Sequence, residues 1–183
     1  DASQYIEDEG TGLVVTPEKR LNLEFTESEK NQYSTILGKE RKGVNFIFKV
    51  LSAKRFLAHA GNVVSDSDAK DLEKESVMIF ELENKAQGKN VFDHKNMVLT
   101  QDEAVQFLAG NVVNELWIEQ AGKKIVANGS QYEGTIGALG NKLRVLLFFS
   151  ELDLSKEFTI KYDDPIFDAG IILVKNTKEK MLL

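Results

Sequence analysis

Apolar side chains recur at every second position along most of this chain, and that period constrains the fold more than any other feature. In VNFIFKVL, residues 44–51, Val44, Phe46, Phe48 and Val50 share one face. Met78, Phe80 and Leu82 do the same in VMIFELE, Phe158, Ile160 and Tyr162 in EFTIKY, and Leu21, Leu23 and Phe25 in RLNLEF. Val112, Leu116 and Ile118 fall together in VVNELWIE, which reads as a further strand. A two-residue side-chain period belongs to a pleated strand with one face buried. KLRVLLFF, residues 142–149, is apolar on both faces and reads as a strand covered on both sides. GIILVK, residues 170–175, closes the series.

Turn chemistry separates these runs. QAGKK at 120–124 predicts a hairpin turn between Trp117 and Val126, and KAQGKN at 85–90 predicts a loop. Lys39-Glu40-Arg41-Lys42 also reads as a turn. Helical signals are fewer. Thr100-Gln101-Asp102-Glu103 is a capping box, with Gly110 as its stop, and Thr26 to Glu29 repeats the signal with Gly38 as the stop. A short helix is expected within 66–75, capped by Ser65 or Asp66. The fold expected is mainly β: an antiparallel β-sandwich, immunoglobulin-like or related, with one to three short helices, or alternatively an α+β sheet. The 183 residues suit one domain, 12–183, behind a flexible acidic segment, 1–11.

Composition narrows the functions. The formal net charge of −6 repels polyanions, so no nucleic-acid partner is expected. Cysteine is absent, which excludes disulfides, thiolate zinc sites and cysteine nucleophiles. No apolar run is long enough to be a transmembrane helix. The polar, acidic DASQYIEDEGT reads like the tether that follows a removed signal peptide, including one that follows a lipid-modified cysteine. That predicts an extracytoplasmic location, in the periplasm or at the cell surface, with a lipid anchor in the precursor; a trimmed cytoplasmic protein is the alternative.

Chemistry-bearing candidates follow. Asp163, Asp164 and Asp168 around Pro165 could offer hard oxygen ligands to calcium, joined by Glu151 and Asp153 if 142–149 and 157–162 form a hairpin. The simpler reading of the same stretch is a turn, since Asp-Pro starts turns and proline fixes φ. Asp66 to Asp71 fails as a calcium loop because Lys70 and Asp71 stand where an acid or Asn, then Gly, are needed. Glu115 and Glu119 flank Trp117 on one presumed strand; an exposed Trp there could stack on a sugar, while core or sheet-edge packing is the commoner use. His59 and His94 sit in no metal-ligand spacing, but either could act as a general base. Gly134, Gly137 and Gly140 lack the strand–glycine–helix context of a phosphate cradle. Asn128-Gly129-Ser130 is a glycosylation sequon in a eukaryotic secretory setting.

The tail LRVLLFFSELDLSKEFTIKYDD resembles the closing hairpin of telokin-like, immunoglobulin-like bacterial lipoproteins and secreted antigens. The resemblance covers the last third and implies a sandwich, with no site residue attached. The expected function is a non-enzymatic binding or assembly module with a protein or glycan partner. The alternatives are a hydrolase using His59 or His94 with the acids of 163–168, and a calcium-stabilised structural module.

Overall fold

The computed structural model describes residues 7–8, 13–14, 32–63, 65–86 and 88–177. The strands are β1 (Glu7–Asp8), β2 (Leu13–Val14), β3 (Thr35–Arg41), β4 (Val44–Ser52), β5 (Glu75–Asn84), β6 (Leu116–Gln120), β7 (Lys123–Val126), β8 (Gly129–Ile136), β9 (Lys142–Ser150), β10 (Phe158–Asp164) and β11 (Gly170–Asn176). The helices are α1 (Ala53–His59), α2 (Asp66–Asp71), α3 (Gln101–Gln106) and α4 (Val112–Glu115), the last two joined by a π turn, Phe107–Asn111. One antiparallel sheet has the order β3-β4-β5-β9-β8, the other β11-β10-β6-β7, and β1 pairs with β2 alone. The chain is therefore mainly β, two antiparallel sheets with short helices. Among the described residues no helix is long and apolar enough to cross a membrane.

The period-two residues meet between the two sheets. Phe46, Phe48, Phe80, Val145 and Leu147 face Leu116, Ile118, Ile160, Tyr162, Ile172 and Val174 in one buried cluster. The rings interlock: Phe48 stacks on Phe80 at 4.9 Å, and Phe80 meets Tyr162 edge-on at 4.7 Å. Aromatic pairs at such separations contribute about 0.5–1.5 kcal/mol beyond their burial. The five-stranded sheet is covered on its other face too. Ile47, Val77, Ile79 and Leu146 form a second cluster with Tyr33, Leu51 and Ala53, against which Phe56 of α1 and Leu72 pack. β9 is thus buried on both sides, as its two-faced apolar sequence predicts.

Helix α3 begins as expected. The Thr100 hydroxyl accepts from Glu103 N–H at 3.2 Å, and the Glu103 carboxylate accepts from Thr100 N–H at 3.0 Å. Gly110 does not end the helix. The chain widens into the π turn and stays helical to Glu115, because Phe107, Leu108 and Val112 all enter the core. Burial of that apolar face outweighs the stop signal of one exposed glycine. Residues 112–115 are accordingly helix and not strand, and β6 starts only at Leu116.

Two other expectations fail for physical reasons. Lys39, Glu40 and Arg41 belong to β3, with Gly38 mid-strand, and the turn is Lys42-Gly43 alone. Both turn residues have positive φ, 54° and 76°, the pair a tight hairpin needs, and Ala121-Gly122 repeats it at 51° and 76° between β6 and β7. Strands β9 and β10 do not form a hairpin but lie in opposite sheets. Each carries an apolar inner face, and the two faces bury each other. The closing hairpin is β10–β11 instead, Asp164 pairing with Gly170. Of the segment 1–11 only Glu7–Asp8 are described, and the strand read at 21–25 and the cap read at 26–29 lie outside the described residues.

Candidate functional site

Alternate residues of the four-stranded sheet point away from the core, and strand register sorts them into rows. One row runs Leu173, Lys161, Trp117, Val126 across β11, β10, β6 and β7. The next runs Lys175, Thr159, Glu119, Lys124, and on the other side Ile171 stands opposite Asp163. Leu116, Ile118, Ile160 and Tyr162 fill the intervening inward positions. Val126 and Ile171 remain 53% and 51% exposed. Isolated exposed aliphatics are common, but here they flank a half-buried Trp on one sheet face.

Trp117 is held in a polar frame. Its indole N–H donates to Glu119 Oε1 at 3.4 Å, Lys161 Nζ reaches the same oxygen at 3.0 Å, and Lys124 Nζ lies 4.5 Å from the ring centroid. The hydrogen bond from Lys161, then that from Trp117, holds the Glu119 carboxyl below its ordinary value of 4.5. Trp117 therefore lies on the outer face of the sheet, not in the core. Glu119 shares its face as read from the sequence. Glu115 does not, because it ends α4.

A hollow lies at each end of this face. The one beside the β6–β7 turn, about 500 Å³, is lined by Lys123, Lys124 and Lys175 together with Glu119 and Glu157. The one at the opposite end, about 480 Å³, is lined by Glu115, Asp163, Asp164 and Asp168 with Asn111 and Asn114, and no cation lines it. Lys161 stands between them. The outward Lys124, Lys161 and Lys175 thus stand toward one end of the strands and Asp163 toward the other, with Arg41 and Lys42 reaching the backbone carbonyls of 168–171 at the β11 edge.

The aspartates around Pro165 form a turn. Asp164 is buried, and its carboxylate accepts from the Tyr162 hydroxyl at 2.9 Å and from the N–H groups of Ile166, Phe167 and Ala169 at 3.0, 3.0 and 3.2 Å. Burial raises its pKa above 3.8 even though these donors pull it down. Asp163 points outward from the opposite side of β10, and Asp168 is exposed at φ 50°. All three border the same hollow, but Asp163 and Asp164 leave β10 on opposite sides and the Asp164 carboxylate is turned to its own turn. Among the described residues no three His, Cys, Asp or Glu side chains are grouped to hold a metal ion. Asp153 is turned to other partners: its backbone N–H donates to Gln120 Oε1 at 2.9 Å, and its carboxylate accepts from the Ser155 hydroxyl at 2.6 Å.

Neither histidine meets these acids as a base. His94 Nδ1 accepts from Asn96 N–H at 3.0 Å, and Nε2 lies 3.1 Å from Gly43 O. A backbone N–H only donates and a carbonyl only accepts, which assigns the hydrogen to Nε2. Both ring nitrogens are therefore engaged with backbone. His59 ends α1, which packs on the far side of the five-stranded sheet. Asn128 is exposed, with its amide on Ser150 Oγ at 2.6 Å. Gly134 sits at a bulge in β8, and Gly137 and Gly140 belong to the β8–β9 connection, which is followed by a strand.

The three lysines are what sequence reading missed. Of Lys124, Lys161 and Lys175, the last two are legible in hindsight as outward residues between two buried ones, Lys161 between Ile160 and Tyr162 and Lys175 between Val174 and Asn176. Their assembly into one face depends on cross-strand register. No protein-family model, curated protein or solved structure matches this chain.

Proposed function

We propose that the protein is a non-enzymatic binding or assembly module whose working surface is the outer face of the β11-β10-β6-β7 sheet. The observation that supports this reading is the row Leu173–Lys161–Trp117–Val126, an apolar and cationic stripe that no described element covers. Interaction surfaces are enriched in Trp, and a half-exposed Trp ringed by polar groups can bury area at small entropic cost. The engagement of both His94 nitrogens with backbone counts against His94 as the base of the hydrolase reading, and His59 ends α1 on the far side of the five-stranded sheet from the acids of 163–168. The separation of Asp163, Asp164 and Asp168 counts against the calcium reading. An extracytoplasmic setting belongs to the same proposal, and fractionation of the native cells tests it.

A photoreactive amino acid at Val126, introduced into the intact chain in its own cells, tests the surface. The expected result is a discrete cross-linked product that is absent when the same group replaces Lys54 on α1. Equal labelling from both positions, or none from Val126, overturns the reading.

A further inference from the structure

The outer face of the four-stranded sheet is complementary to itself. Lys123, Lys124 and Lys175, with Glu119 and Glu157 among them, border the hollow at one end; Glu115, Asp163 and Asp168, above the buried Asp164, border the hollow at the other. Asp163 and Lys161 lie two residues apart on β10, and the row of Lys175 and Lys124 lies two residues further on. At about 3.3 Å per residue the whole gradient spans roughly 13 Å of strand. Turning a second copy over, about a two-fold axis that lies in the interface and crosses the strands between the Lys161 and Asp163 rows, reverses that gradient. Lys161 then stands over the partner copy's acidic row. Leu173 meets the row of Ile171, and the Lys124–Lys175 row meets the acidic hollow.

We propose that this face is a homodimer interface, in which two copies pack sheet against sheet with basic ends on acidic ends. The proposal rests on the reading of the face as a binding surface and adds the identity of its occupant. An isologous two-fold contact requires one patch to match itself, and a face carrying both signs at opposite ends, with Leu173, Ile171, Val126 and Trp117 along it, meets that requirement. A partner of single charge would leave one end opposed by like charge or by nothing. Strands of seven, seven, five and four residues, about 4.8 Å apart at about 3.3 Å per residue, present roughly 360 Å² in projection. A standard stable interface buries about 800 Å² per partner, so this dimer is weak and concentration-dependent.

Sedimentation velocity on the intact chain tests it, with two charge-reversed variants, Lys124→Glu/Lys175→Glu and Glu115→Lys/Asp163→Lys. All these positions lie outside the core, and thermal melting confirms folding before the measurement. The wild type is expected to pass from monomer to dimer between about 10 and 500 µM at low salt, and to shift at least tenfold toward monomer at high ionic strength. Each variant alone is expected to associate at least tenfold more weakly. An equimolar mixture of the two is expected to recover a 1:1 heterodimer, because in a two-fold contact each reversed end meets its new opposite. A wild type that stays monomeric at 1 mM and low salt overturns the proposal, as does a mixture that associates no better than its components. The Val126 cross-link separates the two readings. A product of twice the chain's mass, containing only this chain, supports the dimer. A product with a different molecule overturns the dimer and leaves the binding face standing.

Discussion

The Tyr162 hydroxyl donates to Asp164 Oδ1 at 2.9 Å, two residues along one strand, with both side chains buried at the end of the core. The carboxylate holds the strand end and the following turn together, since it also accepts three backbone N–H groups from 166–169. Asparagine at 164 keeps the shape and removes the buried charge, but it turns an amide N–H₂ toward N–H donors. Asp164→Asn is therefore expected to lose about 2–3 kcal/mol of stability at pH 7, and Tyr162→Phe about 1–2 kcal/mol. Urea unfolding of both variants measures this. A gain in stability on Asp164→Asn would show that relief from burying the charge outweighs the four donors.

The pH dependence has two components of opposite sign. Glu81 lies on the covered face of β5 at 0% exposure, with Lys49 at 2.9 Å and Arg144 at 2.8 Å. Burial pushes its carboxyl up, but the two cations outweigh burial and hold it below 4.5. Its stabilisation is complete above pH 4.5 and is lost as pH falls through the lower folded value. Asp164 runs the other way. Its raised pKa makes its contribution fall as pH rises from 3.8 through the folded value. Glu81→Gln is expected to cost about 3–5 kcal/mol at pH 7, the range for breaking one side of a buried ion pair. It should also flatten the acid limb below pH 4.5. Urea midpoints at pH 7, 4 and 3 for wild type and variant show both effects.

Among the described residues no strand pairs with the outer edge of β11, and cations from β3 and its turn take carbonyls of β11 and of the turn before it. Lys39 Nζ donates to Leu173 O at 3.1 Å, Arg41 to Ala169 O and Ile171 O at 3.0 and 2.9 Å, and Lys42 to Asp168 O at 2.7 Å. Lys39 is only 1% exposed, because it lies on the inner face of β3 in a row with Phe46 and Leu82. Lys39→Met keeps the stem and deletes the donor. It is expected to cost about 1–3 kcal/mol, the range for a buried acceptor left without its partner. It should also speed amide exchange along β11 more than along β4, which hydrogen exchange with mass readout resolves.

Strand positions were legible where apolar residues recur at every second position, as in β4 and β10, since the period is a local property. The Ser65 and Thr100 caps and the Ala121-Gly122 turn were legible for the same reason. What failed depends on distant partners. Lys39 and Arg41 look like turn residues until β11 is placed beside them, and Gly110 looks like a stop until the core is there to receive Val112. The face around Trp117 was half read: Trp117 and Glu119 stand two apart on one strand, whereas Lys161, Lys124 and Lys175 arrive from three others. The three aspartates near Pro165 looked alike in sequence, and only the pleat of β10 turns Asp164 inward and Asp163 outward.

Two hairpin glycines separate backbone strain from packing. Gly43 and Gly122 share φ of 76°, so a Cβ at either carries the cost of the left-handed region. At Gly122 nothing lies within 4 Å of that Cβ, whereas at Gly43 it would stand 3.1 Å from His94 Nε2. That nitrogen is fixed by its bond to Gly43 O and by the Nδ1 bond to Asn96 N–H, and the ring packs edge-on against Phe167 at 5.2 Å. Gly122→Ala is expected to cost about 1–2 kcal/mol, the left-handed penalty alone. Gly43→Ala should cost that and about 1 kcal/mol more, of the order found for overpacking. In a double-mutant cycle, His94→Ala should remove the excess at 43 and leave the cost at 122 unchanged. Equal costs at the two glycines, or additivity with His94→Ala, would show that the imidazole yields to the new methyl group and that the corner formed by 42–43, 94–96 and 167 is softer than its hydrogen bonds imply.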